Sequence, residues 1–598
     1  MTTKYYGNIN NNRGQAVVKR DQQIWRNNRF MAWRPNGWDF VALVLIFLIF
    51  IILAWQARQM STPYHVGQAI KVYLAPRYLP GYCLRTVLRM LIAMGVSLLV
   101  TFVVGTLAAK NKHAERVIIP IIDILQSVPV IGYLSITVTG FIALFPGSLL
   151  GPECAVIFAI FTAQAWNMIL GFYQSLRTLP PELNEAANIL HLSGWQRFWR
   201  VEVPFAMPSL LWNVMLSMSA SWFFVVAAEA ITVNNQSIML PGVGSYIATA
   251  ISHADTKAIF LVIIAMLVVI VLYDQLIFRP IVCWGDKFKT DLAGSDEKPN
   301  TSWVISLLQR TRLLHYLGRG FALLLDAFVN VGSKKSIKPY PEMTATRKRR
   351  QRTLVSLWYI MVLTFCAIGC FILLHYIFHQ LTLHDAKHAV VLGFYTAIRV
   401  VVLIILSSLI WVPIGVWIGL RPKVIKYAQP VVQILAAFPA NLLFPIIVMM
   451  IITFHLNVNI WTTPLMMLGA QWYILFNVIA GASAIPKDLH YVTSNFGVTR
   501  WLWWKRLILP GLFPYYVTGA ITAAGGAWNA SIVAEIASWG KHTIVAKGLG
   551  AYITQFTNSG DFPKVALGIA VMCIYVLLFN RVIWQPLYNL AQKRFSLD

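Results

Sequence analysis

Residues 218–231 read MSASWFFVVAAEAI, and residues 526–536 read GAWNASIVAEI. The two stretches align at an offset of 306 residues, which pairs Trp222 with Trp528 and Glu229 with Glu535. Each is followed by Gly-x-Gly-x-Tyr-Ile, at Gly242 to Ile247 and at Gly548 to Ile553, and then by an Asp, Asp255 or Asp561. Backwards along the chain the same ungapped offset pairs Trp166 with Trp472, Pro180 with Pro486, Trp195 with Trp501, Arg200 with Arg506, Pro204 with Pro510, and Pro208 with Pro514. Leucines matching leucines mean little in apolar helices. Trp, Pro, Gly and Glu recurring at one spacing mark a duplication. Further upstream the offset becomes 310, pairing Pro120 with Pro430 and Pro129 with Pro439. The first copy therefore holds four extra residues, expected in the loop Leu144 to Pro152.

What is duplicated is apolar. Of 598 residues, 58% are hydrophobic and only 12% charged, where a soluble domain carries about 25% charged residues. The apolar residues come in blocks: Val41 to Leu53 and Ile259 to Tyr273 contain no charge. Runs of about 20 such residues cross a bilayer as helices, because backbone groups in lipid must satisfy one another. The sequence predicts an all-α polytopic membrane protein with about twelve transmembrane helices. The expected spans are 39–56, 86–109, 119–145, 152–175, 206–232 and 258–279, then 355–377, 392–420, 430–455, 462–483, 513–536 and 564–585. Six spans in each copy give both copies the same orientation, and parallel repeats place a pathway between the two halves. The domains expected are a cytoplasmic tail (1–38), a first half (39–285), a basic cytoplasmic connector (286–352) and a second half (353–598).

The net charge of +27 lies between and beyond the apolar blocks, which speaks for membrane topology rather than nucleic acid. Residues 1–37 carry seven basic residues against Asp21 alone; Arg347, Lys348, Arg349, Arg350 and Arg352 form another run, and Lys593 and Arg594 a third. All three are expected in the cytoplasm, with both termini. Residues 57–85 fit this pattern poorly, because they are placed outside yet carry Arg58, Lys71, Arg77 and Arg85. The leading residues do not read as a cleavable signal peptide, since about 38 polar and basic residues precede the first apolar block. The connector holds fourteen Lys/Arg and six Asp/Glu. Within it Trp303 to Val331 is apolar with interspersed basic residues, which fits either a helix lying on the membrane surface or a loose linker. The six cysteines form no CxxC pair and read as apolar packing residues.

Between the fourth and fifth spans, residues 179–187 read LPPELNEAA and run on to Trp195 and Val203-Pro204. Pro180 and Pro181 suit a helix start, Glu182 and Glu185 lie near its positive end, and Pro204 separates the segment from the next span. This stretch resembles the Glu-Ala-Ala loop of ABC importer permeases. In that family the loop forms a short cytoplasmic helix that docks on an ATPase subunit, and a Gly follows four residues after the last Ala. Here that Gly is His191, while the second copy keeps Gly497 and Leu509-Pro510 but reads Tyr491-Val492-Thr493 in place of Glu-Ala-Ala. The resemblance implies two non-equivalent coupling helices, roughly 182–192 and 488–498, with Glu182, Glu185, Ala186, Ala187, His191, Asp488 and Gly497 at the ATPase contact.

The repeated Trp…Glu…Gly-x-Gly-x-Tyr-Ile pattern is similar to permeases for nitrate, taurine and alkanesulfonates, in the double-length, type I importer-like form. It covers about 85–280 and 390–588. The resemblance implies a permease that brings a small solute, an anion by subfamily, into the cytoplasm by alternating access. Its expected partners are two ABC ATPase subunits carrying ATP and Mg, an extracytoplasmic binding protein and membrane lipid, in a bacterial inner membrane. Glu229 and Glu535 are assigned to the pathway or gate with Trp222, Trp528, Asn529 and Ser531. A carboxylate would repel an anion, so the two Glu are read as gating or as fixing the following Gly-rich loop, with pathway lining as the alternative. Asn213, Ser217 and Ser221 share one helical face, as pathway groups or packing hydroxyls. Leu192-Ser193-Gly194-Trp195-Gln196 imitates the signature loop of ABC ATPases, but the chain has no GxxxxGK[ST] phosphate loop, so ATP hydrolysis is expected on another chain. No catalytic constellation or metal-ligand spacing stands out. The rival reading is an ion-coupled secondary transporter, which would need no Glu-Ala-Ala helices.

Overall fold

The computed structural model describes residues 37–60, 62–64, 70–127, 129–233, 236–288, 302–330 and 345–595. The N-terminal tail up to residue 36, and residues 289–301 and 331–344 of the connector, lie outside them. The chain divides into two compact units, residues 1–52 with 303–328, and residues 53–302 with 329–598. In the first unit, residues 303–328 form two helices, Trp303–Arg310 and Arg312–Val329, separated at Thr311. The second unit holds both repeats.

Among the described residues ten helices are long and apolar enough to cross a membrane: Gly37–Met60, Pro76–Lys110, Leu150–Arg177, Gly194–Glu229 and Thr256–Gly285, then Ser356–Gln380, Leu383–Gly419, Val458–Ala484, Arg500–Ala534 and Phe562–Arg594. None of the apolar window of Ser356–Gln380 is buried in protein, so that helix must be solvated by lipid.

The third span of each half differs from expectation. Residues 119–145 and 430–455 read as single helices, yet both are broken. The first consists of Lys112–Ser127 and Val130–Leu144. The second consists of Pro422–Ala437 and Ala440–Thr453, bent by 69°. Pro129 and Pro439 sit at the breaks in extended conformation. A proline has no N–H to give to the turn before it and pushes its predecessor out of the helical region.

Prolines also explain a recurring irregularity. Besides a wide turn at Thr101–Gly105, which no proline follows at that spacing, four single wide turns with i→i+5 pairing occur at Phe198–Glu202, Asp274–Phe278, Trp504–Ile508 and Asn580–Trp584, and these four share a feature. Two residues beyond each stands a proline: Pro204, Pro280, Pro510 and Pro586. Widening the preceding turn relieves the clash between the ring and the carbonyl four residues back. The fifth span can therefore begin at Gly194 rather than near 206, carrying the loop segment into the span.

The four extra residues of the first half have a local partner. Tyr64 donates its N–H to the Gly147 carbonyl at 3.0 Å, and Leu149 donates to that of Thr62 at 2.9 Å. The longer turn after the third span thus receives the segment that leaves the first span.

Candidate functional site

The two surface helices form where the duplication places them, as Pro181–Ile189 and Lys487–Asn495. Pro180 and Pro486 cap their starts in extended conformation, and Glu182 and Asp488 lie in the first turns, where an acid meets the positive end of the helix dipole. Both helices end earlier than 192 and 498. His191 and Gly497 have φ of 48° and 64°, and this left-handed residue closes the helix. Leu192 donates its N–H to the Ala187 carbonyl, and Val498 to that of Thr493, at 3.0 and 2.9 Å. These are the six-to-one bonds of a Schellman end. His191 therefore occupies a position suited to glycine and carries the strain of a side chain there. Replacing Gly497 with Ala should lower stability by about 1 kcal/mol, while His191→Gly should not lower it. Thermal midpoints of the two variants check this, and an equal drop in both would count against the assignment.

Ala187 is buried, whereas Glu182, Glu185, Ala186 and Asp488 are exposed. So are large apolar side chains: Ile189 is 76% exposed, Leu190 69%, Tyr491 66% and Phe496 81%. Ser193 to Gln196 turns out to be a capping box. The Ser193 hydroxyl accepts from the Gln196 N–H, and the Ser193 N–H donates to the Gln196 side chain, which gives the signature-like LSGWQ a structural role.

At the far end of the fifth spans lie the two glutamates. Glu229 ends its helix, and Glu535 caps its own, so neither sits in mid-span. Glu229 is fully buried. Its Oε1 accepts from Arg89 Nη1 at 2.6 Å and from the Thr86 hydroxyl at 2.7 Å, and its Oε2 accepts from the Gly244 N–H at 2.7 Å. Thr86 in turn accepts from the Val243 N–H. Arg89 gives its remaining edge to Glu153, at 2.6 and 2.7 Å. The second half repeats the design. Arg399 and Thr396 bond Glu535 at 2.7 and 2.8 Å, and the Gly550 and Ala551 N–H groups donate to its other oxygen. Buried charges persist only when paired and hydrogen-bonded. Each glutamate therefore anchors the Gly-rich turn that follows its span, through a β-hairpin, to the second span of its half. The hairpins pair Ala230–Val233 with Gln236–Met239, and Ile536–Trp539 with His542–Val545.

The two clusters differ at one place. Where the first half has Glu153, the second has Asn459, whose side-chain oxygen accepts from both Arg399 and the Lys547 N–H. The residue corresponding to Lys547 is Pro241, which has no N–H to give. The exchange of Glu for Asn thus goes with the exchange of Pro for a donor. Arg89, Arg399, Thr86, Thr396 and Glu153 went unread in the sequence, although the offset of 310 pairs both arginines and both threonines.

Between the halves lies a cavity of about 540 Å³, lined by Val226, Ala227, Ile247, Asn441, Phe444 and Ile532, among others, and among the described residues by no charged one. Deeper, a narrower gap is walled by Phe223, Phe224, Trp472, Tyr473 and Asn529. Asn529 Oδ1 accepts from the Val130 N–H at 2.9 Å, and Asn441 Nδ2 donates to the Phe223 carbonyl at 3.2 Å. Each broken third span is thereby tied to the fifth span of the other half. The remaining expected pathway residues lie elsewhere. Trp222 packs edge-on to Tyr273 and Trp528 against Phe579, and the Ser531 hydroxyl donates to the Trp528 carbonyl. Ser217 and Ser221 donate to the carbonyls of Gln164 and Ser217, and Asn213 donates to that of Ser209, so this face serves packing and local bonding. No group of three or more His, Cys, Asp or Glu that could hold a metal occurs among the described residues.

Two bundles with the same broken span, surface helix and glutamate-anchored turn define a duplicated, helical transport permease. Residues 101–278 and 411–589, together more than half of the chain, each match the family of binding-protein-dependent transport system inner membrane components, and the chain belongs to that family as two fused permease halves. It is similar to the nitrate import permease protein NrtB of Leptolyngbya laminosa, 26% identical over 185 residues, 31% of this chain and 63% of that protein. It is also similar to the glycine betaine transport system permease protein OpuAB of Bacillus subtilis, 26% identical over 247 residues, 40% of this chain and 80% of that one. The bicarbonate transport system permease protein CmpB of Synechococcus elongatus is 23% identical over 188 residues, 31% and 63% of the two chains. The match thus spans less than two thirds of the length of NrtB and of CmpB.

Proposed function

We propose that this chain is the complete membrane pathway of an ATP-driven importer, moving a small solute into the cytoplasm by alternating access. The observation that carries this reading is the pair of surface helices, Pro181–Ile189 and Lys487–Asn495, which stand at corresponding places and present apolar side chains to solvent. Two ATPase subunits, carrying ATP and Mg, would dock there, one on each helix. Their closure on ATP moves the helices together and rocks the halves about the central cavity, which a separate binding protein loads from outside. ATP hydrolysis belongs to those subunits, and both termini and the basic connector face the cytoplasm of a bacterial inner membrane. The halves proposed are 39–285 and 353–598, each adding one leading span to the repeated segment.

The substrate proposed is a small anion, supported by the nitrate, bicarbonate and aliphatic sulfonate permeases among the relatives. The uncharged lining of the cavity fits a path that an anion crosses without being held by a fixed cation. Glu229 and Glu535 act as anchors of the gate-forming turns rather than as ion sites, because each already has an arginine on one oxygen and backbone N–H donors on the other.

The test is co-purification of the ATPase with the chain from cells expressing both. Glu185→Arg with Tyr491→Arg alters two exposed side chains and should leave the fold intact while reducing retained ATPase at least tenfold. Full retention by the folded double variant, or no ATPase on the wild type in any nucleotide state, would overturn the proposal.

A further inference from the structure

A cavity of about 590 Å³ opens beside the start of the second span, walled by Trp55, Gln56, Gln59, Lys71, Tyr78 and Arg85, among others. It belongs to neither the central cavity nor the surface helices. The helix Pro76–Lys110 begins at this cavity and ends at the Lys110–Glu202 ion pair beside the surface helix. At 1.5 Å per residue that helix is about 50 Å long, so cavity and surface helix sit on opposite faces of the membrane.

The chemistry of the walls is one-sided. Lys71 and Arg85 line the cavity, and among the described residues no acidic one does. Residues 57–85 contain four Lys/Arg and no Asp or Glu. Arg85 is only 6% exposed. Its Nε donates to Gln56 at 3.0 Å and its Nη2 to Gln59 at 2.6 Å. Two neutral amide oxygens orient the guanidinium without neutralising it. Arg85 lies one helical turn from Arg89, and Arg85, Arg89, Glu153 and Glu229 sum to zero. The second half has Tyr395 and Asn459 where these are Arg85 and Glu153, so it too sums to zero with Arg399 and Glu535. That balance explains how a buried Arg85 is tolerated, but the cavity itself meets only the cations. The aromatic part of the wall also has a direction. Trp55 is 59% exposed and stands near the end of the apolar helix Gly37–Met60, and Tyr73 stacks on Tyr78 with ring centroids 5.1 Å apart. Trp and Tyr gather at the level of lipid headgroups, and a guanidinium with a nearby ammonium suits a phosphate.

The geometry points to a binding site for a phosphate-class anion in this cavity, on the membrane face remote from the surface helices and present in the first half alone. The anion is either the headgroup of an anionic phospholipid or a free oxyanion, and the same residues would hold both.

The test uses the full chain in phosphatidylcholine nanodiscs, with and without phosphatidylglycerol. Native mass spectrometry reads retained phosphatidylglycerol, and thermal melting with added orthophosphate reads free anion. Lys71→Gln changes an exposed side chain and keeps the buried cluster intact, while Lys71→Gln with Arg85→Gln removes both cations. Each removed charge should weaken binding about fivefold. Retained phosphatidylglycerol that falls in this order assigns the site to lipid. An orthophosphate-dependent rise in the melting point that is lost in the same order assigns it to a free anion. If folded Lys71→Gln binds both probes as the wild type does, or if only docking of the binding protein changes, the inference is wrong.

Discussion

Arg89→Met is expected to remove most of the folded protein, and Arg399→Met to cost visibly less. Arg89 is fully buried between two carboxylates, Glu153 and Glu229, at 2.6 Å from each. Removing one partner of a buried ion pair costs about 3–5 kcal/mol, because the charge left behind has lost its compensation. Methionine at 89 strips both carboxylates of their direct ion-pair partner, with Arg85, held by Gln56 and Gln59 one helical turn away, as the cation that remains. Methionine at 399 leaves only Glu535, since Asn459 is neutral and keeps its bond from the Lys547 N–H. Glu153→Gln added to Arg89→Met should recover part of the loss by removing one stranded charge. The yield of monodisperse protein after extraction and the thermal midpoint measure the difference. Equal losses at 89 and 399, or no recovery by Glu153→Gln, would show that the additional carboxylate carries no energetic weight.

Much of this architecture was readable because it occurs twice. A single Glu in an apolar run has several explanations. Two of them at one offset, each followed by Gly-x-Gly-x-Tyr-Ile, have to serve something the repeat needs, and the structure places each carboxylate on the N–H of the second glycine. The surface helices were legible for the same reason, and Gly497 marked a left-handed end that His191 hid. What stayed unread depends on contacts far apart in the chain. Glu229 meets Arg89 across 140 residues and Val130 meets Asn529 across 399, and no local pattern announces either. Arg85 was counted among the charges of the segment 57–85 and Arg89 went unread, because hydropathy sees the length of an apolar run and not its partners. The broken third spans escaped for the opposite reason. Their composition is continuous, and only Pro129 and Pro439 record the break. The Ser193–Gln196 capping box was visible as Ser-x-x-Gln but was overshadowed by its likeness to a nucleotide-binding motif.

Gly548→Ala and Gly550→Ala should both damage the second half, but only the first should be relieved by shortening Glu535. Gly548 has φ −169° and ψ 166°, extended backbone that any residue adopts, so the demand there is for space alone. A Cβ at 548 would come within 2.1–2.4 Å of the Glu535 carboxylate, whereas one at 550 would meet the Ser531 carbonyl oxygen at 2.4 Å. The first obstacle is the end of a side chain and the second is main chain of the fifth span. Forced overpacking costs about 1–3 kcal/mol. At 548 the carboxylate can escape only by giving up its bonds to Arg399 and to the Gly550 N–H, which raises the loss toward the 3–5 kcal/mol of a broken buried pair. Aspartate at 535 is one methylene shorter and withdraws from the new methyl group, so Gly548→Ala with Glu535→Asp should be more stable than Gly548→Ala alone. The same Asp should do nothing for Gly550→Ala, where the clash is with the carbonyl of residue 531. Thermal midpoints of the two single and two double variants decide the matter. Rescue of both alanines by Glu535→Asp, or of neither, would mean that the glycine before the last helical pair is not there to admit the glutamate.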